Sequence, residues 1–200
     1  MRQEKSRITI DSLKIGAYRL TEAVIEGYLG RGHVEIPNFY VNLYDGNIGG
    51  RFSMDAAGKA PDQVTFTLSS HIAGINSALM MPDTPEKKKE SVVNANTEIY
   101  GKSIDPRAGI DLNGYFYITT IGSKFADNLL RSMDPKGKDS GIRSARMLLN
   151  RGLKPRLFSF EIQNGYFYPS ISFKQPWYMP VRLSGSRIEF TRIPINYLFQ

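Results

Sequence analysis

The sequence predicts a mainly β fold: a curled antiparallel sheet, taco- or groove-like, with two or three short helices inserted. Three observations predict it. Apolar and polar residues alternate through segment after segment, the pattern of strands with one covered and one wet face. Val, Ile, Thr, Tyr and Phe fill most of those positions, as a pleated, half-buried surface favours. Helical spacing, by contrast, is concentrated in residues 123–150.

In chain order, the first strand with a clear reading lies in "HVEIPNFYVNLY". Val34 and Ile36 share one phase and Phe39, Val41 and Leu43 the other, with Pro37 between them. A bulge or bend there returns all five to one side of the sheet. "NIGGRFSMDA" follows with Ile48, Phe52, Met54 and Ala56, then "QVTFTLS" with Val64, Phe66 and Leu68. "VVNANTEIY" places Val93, Ala95 and Ile99 on one side. "FSFEIQ" does so with Phe158, Phe160 and Ile162, and "YFYPSISFK" with Phe167, Ile171 and Phe173. "VRLS" and "RIEFTR" continue the pattern with Val181, Leu183, Ile188 and Phe190.

The string NGYFY occurs twice, at 113–117 and at 164–168. Register separates the two copies. A two-residue Asn-Gly loop at 164–165 pairs residues whose numbers sum to 329, so Ile162 meets Phe167, Phe158 meets Ile171 and Phe160 meets Pro169. Apolar faces apolar throughout, and a hairpin is predicted. The same loop at 113–114 would set Asp111 against Phe116. Read straight through, Ile110, Leu112, Phe116 and Ile118 share one face, and Tyr115 and Tyr117 the other. That copy is predicted to be one strand, with Gly114 as a bend or close approach.

Two helices are predicted in the insertion. "GSKFADNLLRSMDP" has Ser123 as its cap and Pro135 as its stop, and "DSGIRSARMLLNRG" has Asp139 or Ser140 as cap and Gly152 as stop. The apolar side of the second is Ile142, Ala145, Leu148 and Leu149, with Arg143, Arg146 and Arg151 directed away from it. "MPDTPEKKKES" reads as a linker. The organisation is therefore an N-terminal β part (1–81), a linker (82–91) and a C-terminal β-αα-β part (92–200), or one continuous sheet with the first.

Composition narrows the function classes. Two hundred residues with 41% hydrophobic content suffice for one sizeable core. No apolar run is long enough for a transmembrane helix, and the opening "MRQEKSRITIDSLK" lacks the apolar stretch of a secretory signal. The absence of cysteine removes disulfides and zinc-thiolate sites. His33 and His71 sit in no metal-spaced motif, and no metal or cofactor is expected. With no GxSxG, P-loop or HExxH motif, and Asp55, Asp62, Glu98 and Glu161 unpaired on wet faces or turns, the expectation is a non-enzyme.

The net charge is +7, and Arg131 to Arg156 contributes +6 of it: eight Lys or Arg against Asp134 and Asp139. A concentrated positive field suits an anionic partner, or it simply solvates a connector. Arg143, Arg146 and Arg151 are the candidates for lipid headgroups or a docking protein. Trp177 and Tyr178 add residues favoured at a membrane interface, although the more usual role for Trp177 is an ordinary core or edge aromatic. Single-stranded nucleic acid is not expected, because the charge lies on the helices rather than beside the strand tyrosines and NGYFY does not fit the aromatic RNA-binding pattern.

The apolar face has to be covered. A packed sandwich and an open groove for an apolar ligand use the same side chains. The groove candidates are Phe52, Phe66, Phe116, Ile118, Phe158, Phe160, Ile162, Phe167, Ile171 and Phe173.

Residues 41–80 and 121–168 carry a resemblance. "VNLYDGNIGGRFSMDAAGKAPDQVTFTLSSHIAGINSALM" has a strand ending in a Tyr-x-Gly-type turn, a small-residue strand, another strand and a short helix over Ile75 to Met80. "IGSKFADNLLRSMDPKGKDSGIRSARMLLNRGLKPRLFSFEIQNGYFY" has a helix, an Asp-Pro stop, a second helix and a strand entering a Gly turn. In these respects the chain resembles AsmA-like and YdbH-like proteins of the Gram-negative envelope. The resemblance implies a curled sheet with an apolar groove for phospholipid or another acyl lipid. It also implies a place in the periplasm as part of an inner-membrane-anchored protein, and a role in phospholipid transport or outer-membrane assembly. The anchor would lie outside this chain. The alternative expectation is a packed assembly domain that docks a partner, such as another envelope protein, through its basic helical insertion.

Overall fold

The computed structural model describes residues 4–15, 18–80, 91–102, 111–174 and 187–195. Among these, eleven strands form one antiparallel sheet, and it does not close. The first five strands are β1 (Glu4–Ile15), β2 (Tyr18–Gly30), β3 (His33–Leu43), β4 (Gly46–Asp55) and β5 (Thr65–Asn76). A four-residue helix, α1 (Ser77–Met80), ends this part. β6 (Val92–Lys102) and β7 (Asp111–Thr120) follow, then helices α2 (Ser123–Met133) and α3 (Ser140–Asn150). After them come β8 (Pro155–Gln163), β9 (Tyr166–Phe173), β10 (Arg187–Glu189) and β11 (Ile193–Pro194). From β1 to β10 each strand pairs with the next, and β11 joins β9 beyond β10. β5 and β6 pair directly, so residues 81–90 connect adjacent strands of one sheet.

The bulge at Pro37 is present. Ile36 pairs with Phe52 but Phe39 with Gly50, so Pro37 and Asn38 together oppose Arg51. Val34, Ile36, Phe39, Val41 and Leu43 are all partly buried, while His33, Glu35 and Tyr40 are exposed. The extra residue restores the phase of the apolar set. β1 and β2 are among the longest strands, and their period is the hardest to read. In β2 the pairing slips between Thr21 and Val24 and again between Glu26 and Tyr28.

Both NGYFY copies behave as their registers require. Phe158 pairs with Ile171, Phe160 with Pro169 and Ile162 with Phe167. Asn164 and Gly165 have φ of 50° and 76°, the left-handed pair of a type I′ turn. Pro169 is tolerated because its outer neighbour is broken there: β10 ends at Glu189, β11 begins at Ile193, and the Phe190 N–H donates to the Pro169 carbonyl. The first copy lies inside β7, with Gly114 opposite Ile99 on one side and Ile162 on the other. The two copies therefore flank β8.

Gly114 has φ of 134°, and a Cβ there would collide with the Glu98 carbonyl oxygen. Gly114→Ala is expected to cost about 3 kcal/mol, seen as a lower denaturation midpoint with an unchanged slope. A midpoint equal to that of the parent would remove the close-approach role.

Several local details differ from expectation. The helix after β5 begins at Ser77, not Ile75. Ile75 and Asn76 remain in the strand, paired with Val93 and Val92. Ser123 does not cap α2: the N-cap is Gly122, with no side-chain cap bond. Asp139 does cap α3, its carboxylate accepting from the Ile142 N–H at 2.9 Å, and Gly152 at φ 86° ends that helix. "RIEFTR" yields only the three residues of β10. Ile110, Trp177, Tyr178, Val181, Leu183 and nearly all of the 82–91 linker lie outside the described residues.

The core sits between the C-terminal strands and the helix pair. Ala126 and Leu130 of α2 and Ala145 of α3 are fully buried, as are Phe158 and Ile171 of β8 and β9. Ile118, Ile121, Ile142, Leu149, Leu153, Phe173 and Phe190 belong to the same cluster.

Candidate functional site

Next to this core, the same sheet face stays open. A cavity of about 890 Å³ lies between α2 and the strands, within the roughly 300–1,000 Å³ usual for ligand sites. Leu43 of β3 and Ile193 of β11 both line it, so the sheet curls around the space. Its floor comes from Ile48, Ile72, Ile75, Val93, Ile99, Phe116, Ile118, Phe160, Ile162 and Phe167. α2 supplies the opposite wall through Phe125, Leu129 and Met133.

α2 can face two ways because its apolar residues form two stripes. Ala126 and Leu130, four apart, point into the packed core. Phe125, Leu129 and Met133, also four apart, face the cavity. Neighbours at i and i+4 share a helix face, so adjacent stripes serve two surfaces.

Among the described residues, the lining is apolar except for Thr97 and Ser132. Both hydroxyls are already used: Thr97 donates to the Tyr115 carbonyl at 2.8 Å and Ser132 to the Asn128 carbonyl at 3.1 Å. No charged side chain is part of this lining. The wall offers contact area and shape to a ligand, and little to hydrogen-bond a polar one.

Of the residues singled out in the sequence, Phe116, Ile118, Phe160, Ile162 and Phe167 meet in this cavity. Phe116 lies 6.0 Å and Phe167 6.4 Å from Phe160, ring centre to ring centre. Phe158, Ile171 and Phe173 share the face but are sealed in the core, and they do not line the cavity. Phe52 and Phe66 also share the face, through Phe52–Leu68–Ile99 and Phe66–Gly101 pairing, but they lie beyond it. Sequence reasoning missed the α2 wall, Ile193, and Leu43, Ile48, Ile72, Ile75, Val93 and Ile99 of the floor. The spacing of Phe125, Leu129 and Met133 was the available signal for the wall.

The basic insertion is partly self-satisfied. Arg146 forms a 2.7 Å ion pair with Asp127 of α2, which also holds Arg131 at 2.9 Å. Arg146 is thus a strut between the helices rather than a free cation, contrary to expectation. Its partner Asp127 lies outside the basic stretch 131–156. Arg143 and Arg151 are exposed, and Arg143 donates to the Gly137 carbonyl at 2.7 Å.

Asp139 fixes the helix pair to the sheet edge. Besides capping α3, it accepts from the Thr191 N–H at 2.7 Å, in the connection between β10 and β11. Partial burial pushes its carboxyl up, but donors from Thr191, Ile142 and Gly141 outweigh this and leave it below the usual carboxylate value. A depressed folded-state pKa gives stability that is complete above the unfolded pKa, about 3.9, and fades as pH falls through the folded value. Asp139→Ala is expected to cost about 1–2 kcal/mol at pH 7, with the gap to the parent narrowing below about pH 4. Urea melts at several pH values measure it, and a pH-independent gap would show that the carboxylate's charge is not involved.

Among the described residues, no three His, Asp or Glu side chains converge as a metal would need. No helix there is long and apolar enough to cross a membrane. Fold and site together define a class: an open, curled antiparallel sheet holding an apolar cavity beneath α2. Compared with protein-family models, curated proteins and solved structures, the chain matches none of them.

Proposed function

We propose that this chain is a non-enzymatic module that holds the acyl chains of a phospholipid or similar lipid in the cavity between α2 and the sheet. One observation carries the reading: a cavity of about 890 Å³ whose polar wall groups among the described residues, Thr97 and Ser132, are already hydrogen-bonded to backbone. Such a wall rewards burial of methylene groups, at about 0.8 kcal/mol each, and penalises buried polar groups that find no partner. That favours acyl chains over nucleotides, sugars or peptides, and among the described lining residues it offers no carboxylate, imidazole or amine for acid–base catalysis.

The headgroup would remain at the opening. An anionic headgroup or membrane surface would meet the exposed Arg143 and Arg151 in preference to Arg146, which Asp127 occupies. The cellular setting rests on the resemblance of residues 41–80 and 121–168 to AsmA-like proteins. On that basis the module belongs to the periplasmic part of an inner-membrane-anchored protein and contributes to phospholipid transport or outer-membrane assembly.

Native mass spectrometry of the purified chain, with lipid extraction, tests the reading. Co-purified phospholipid is expected. A chain that is repeatedly lipid-free, and whose melt does not respond to added phospholipid vesicles, would instead point to a packed assembly domain docking a partner through its helices.

A further inference from the structure

β1 is paired on one side only. It runs along β2 from Glu4 to Ile15 with partner numbers summing to 33 throughout, and the pairing is interrupted only at Asp11, whose opposite residue Glu22 has a φ of 49°. Among the described residues no other strand joins its outer edge. It also contains no proline. Long, regular edges of this kind pair with other strands. Ile8 is 55% exposed, although it faces Ile25, which faces Phe39, on the apolar side of the sheet.

The residues of β1 are complementary to themselves in reverse. An antiparallel partner keeps side chains on matching faces only if paired numbers sum to an even value. With a sum of 18, two copies of β1 meet about a two-fold axis at Thr9. On the outer face, Arg7 of each copy then opposes Asp11 of the other. On the apolar face, Ile8 opposes Ile10 and Ser6 opposes Ser12. No like charges meet.

Other even registers do less well. A sum of 16 sets Lys5 against Asp11, but it leaves Arg7 against Thr9 and Ile10 against Ser6. A sum of 20 sets no opposite charges together. A sum of 14 sets Arg7 against Arg7, and a sum of 22 Asp11 against Asp11, which destabilises a ladder. Arg7 is available for the role. Its side chain is 62% exposed, and its contact with Glu26 is a loose 3.7 Å.

We infer that β1 is an isologous interface at which two copies of this chain join their sheets, antiparallel, with Arg7 facing Asp11 across the join. The two apolar faces then continue into one another through Ile8 and Ile10. The inference is independent of what the cavity holds.

A charge-swap series on the full chain tests it by sedimentation velocity over a range of concentrations. The parent is expected to form dimers reversibly, with the β1 amides gaining protection from hydrogen exchange as dimers form. Asp11→Arg sets arginine against arginine twice and is expected to weaken dimerisation at least about tenfold. Adding Arg7→Asp to it restores the opposite-charge pairs and the dimer. Thermal melts of each variant show that the fold is intact. The inference is overturned by a parent that stays monomeric at every concentration. A dimer indifferent to Asp11→Arg, or a folded double variant that does not recover, would overturn it as well.

Discussion

Phe158→Ala is expected to destabilise the protein by about 3–5 kcal/mol, the upper range for truncating one core side chain. Phe158 is fully buried, flanked across the strands by Ile118 and Ile171. Its ring lies 5.1 Å from that of Phe160 and 6.1 Å from that of Phe190. Truncation loses the transfer energy of the ring and leaves a void that the surrounding strands and helices close only in part. Phe158→Leu keeps most of the volume and is expected to cost less than about 1.5 kcal/mol. Urea denaturation compares the two. Equal, small effects from both would mean that the helix pair does not seal this part of the face.

Most of the sheet was legible because period two and turn chemistry are local signals. Asn164-Gly165 fixed a hairpin register that holds at every pair from Phe158–Ile171 to Gln163–Tyr166. Pro37 marked a bulge because two apolar phases met there. β1 and β2 were harder to read, since irregular pairing in β2 breaks the alternation that identifies a strand. α1 shows a different limit. Gly74 at φ 70° and the slip between Ile72 and Ile75 bend β5, but the strand resumes for two residues before the helix begins.

The cavity was legible in kind but not in extent. Phe116, Phe160 and Phe167 were placed on the right face by parity alone. Parity cannot say which part of an apolar face a helix covers, and this decides that Phe158 and Ile171 are core while Phe160 and Phe167 line an open space. The arginines show the same limit. Helical spacing put Arg146 opposite the apolar side, but its neutralising Asp127 lies nineteen residues away on another helix, out of reach of any local pattern.

Phe167→Glu is expected to abolish lipid loading while leaving the chain folded. Phe167 is half-buried and faces the cavity beside Ile162 and Ile193. Without lipid a carboxylate there can stay hydrated, so the fold tolerates it. Closing acyl chains over it would strip that hydration without providing a partner, because Thr97 and Ser132 are already committed. Leu129→Glu places the same charge on the α2 wall and should have the same effect from the other side. Native mass spectrometry with parallel thermal melts separates the outcomes. Both variants are expected to lose at least about tenfold in bound lipid, the equivalent of about 1.4 kcal/mol or more, with a smaller fall in melting temperature than Phe158→Ala. If either charged variant unfolds as Phe158→Ala does, that wall belongs to a closed core. If both stay folded and still carry lipid, the occupied site lies elsewhere on the sheet.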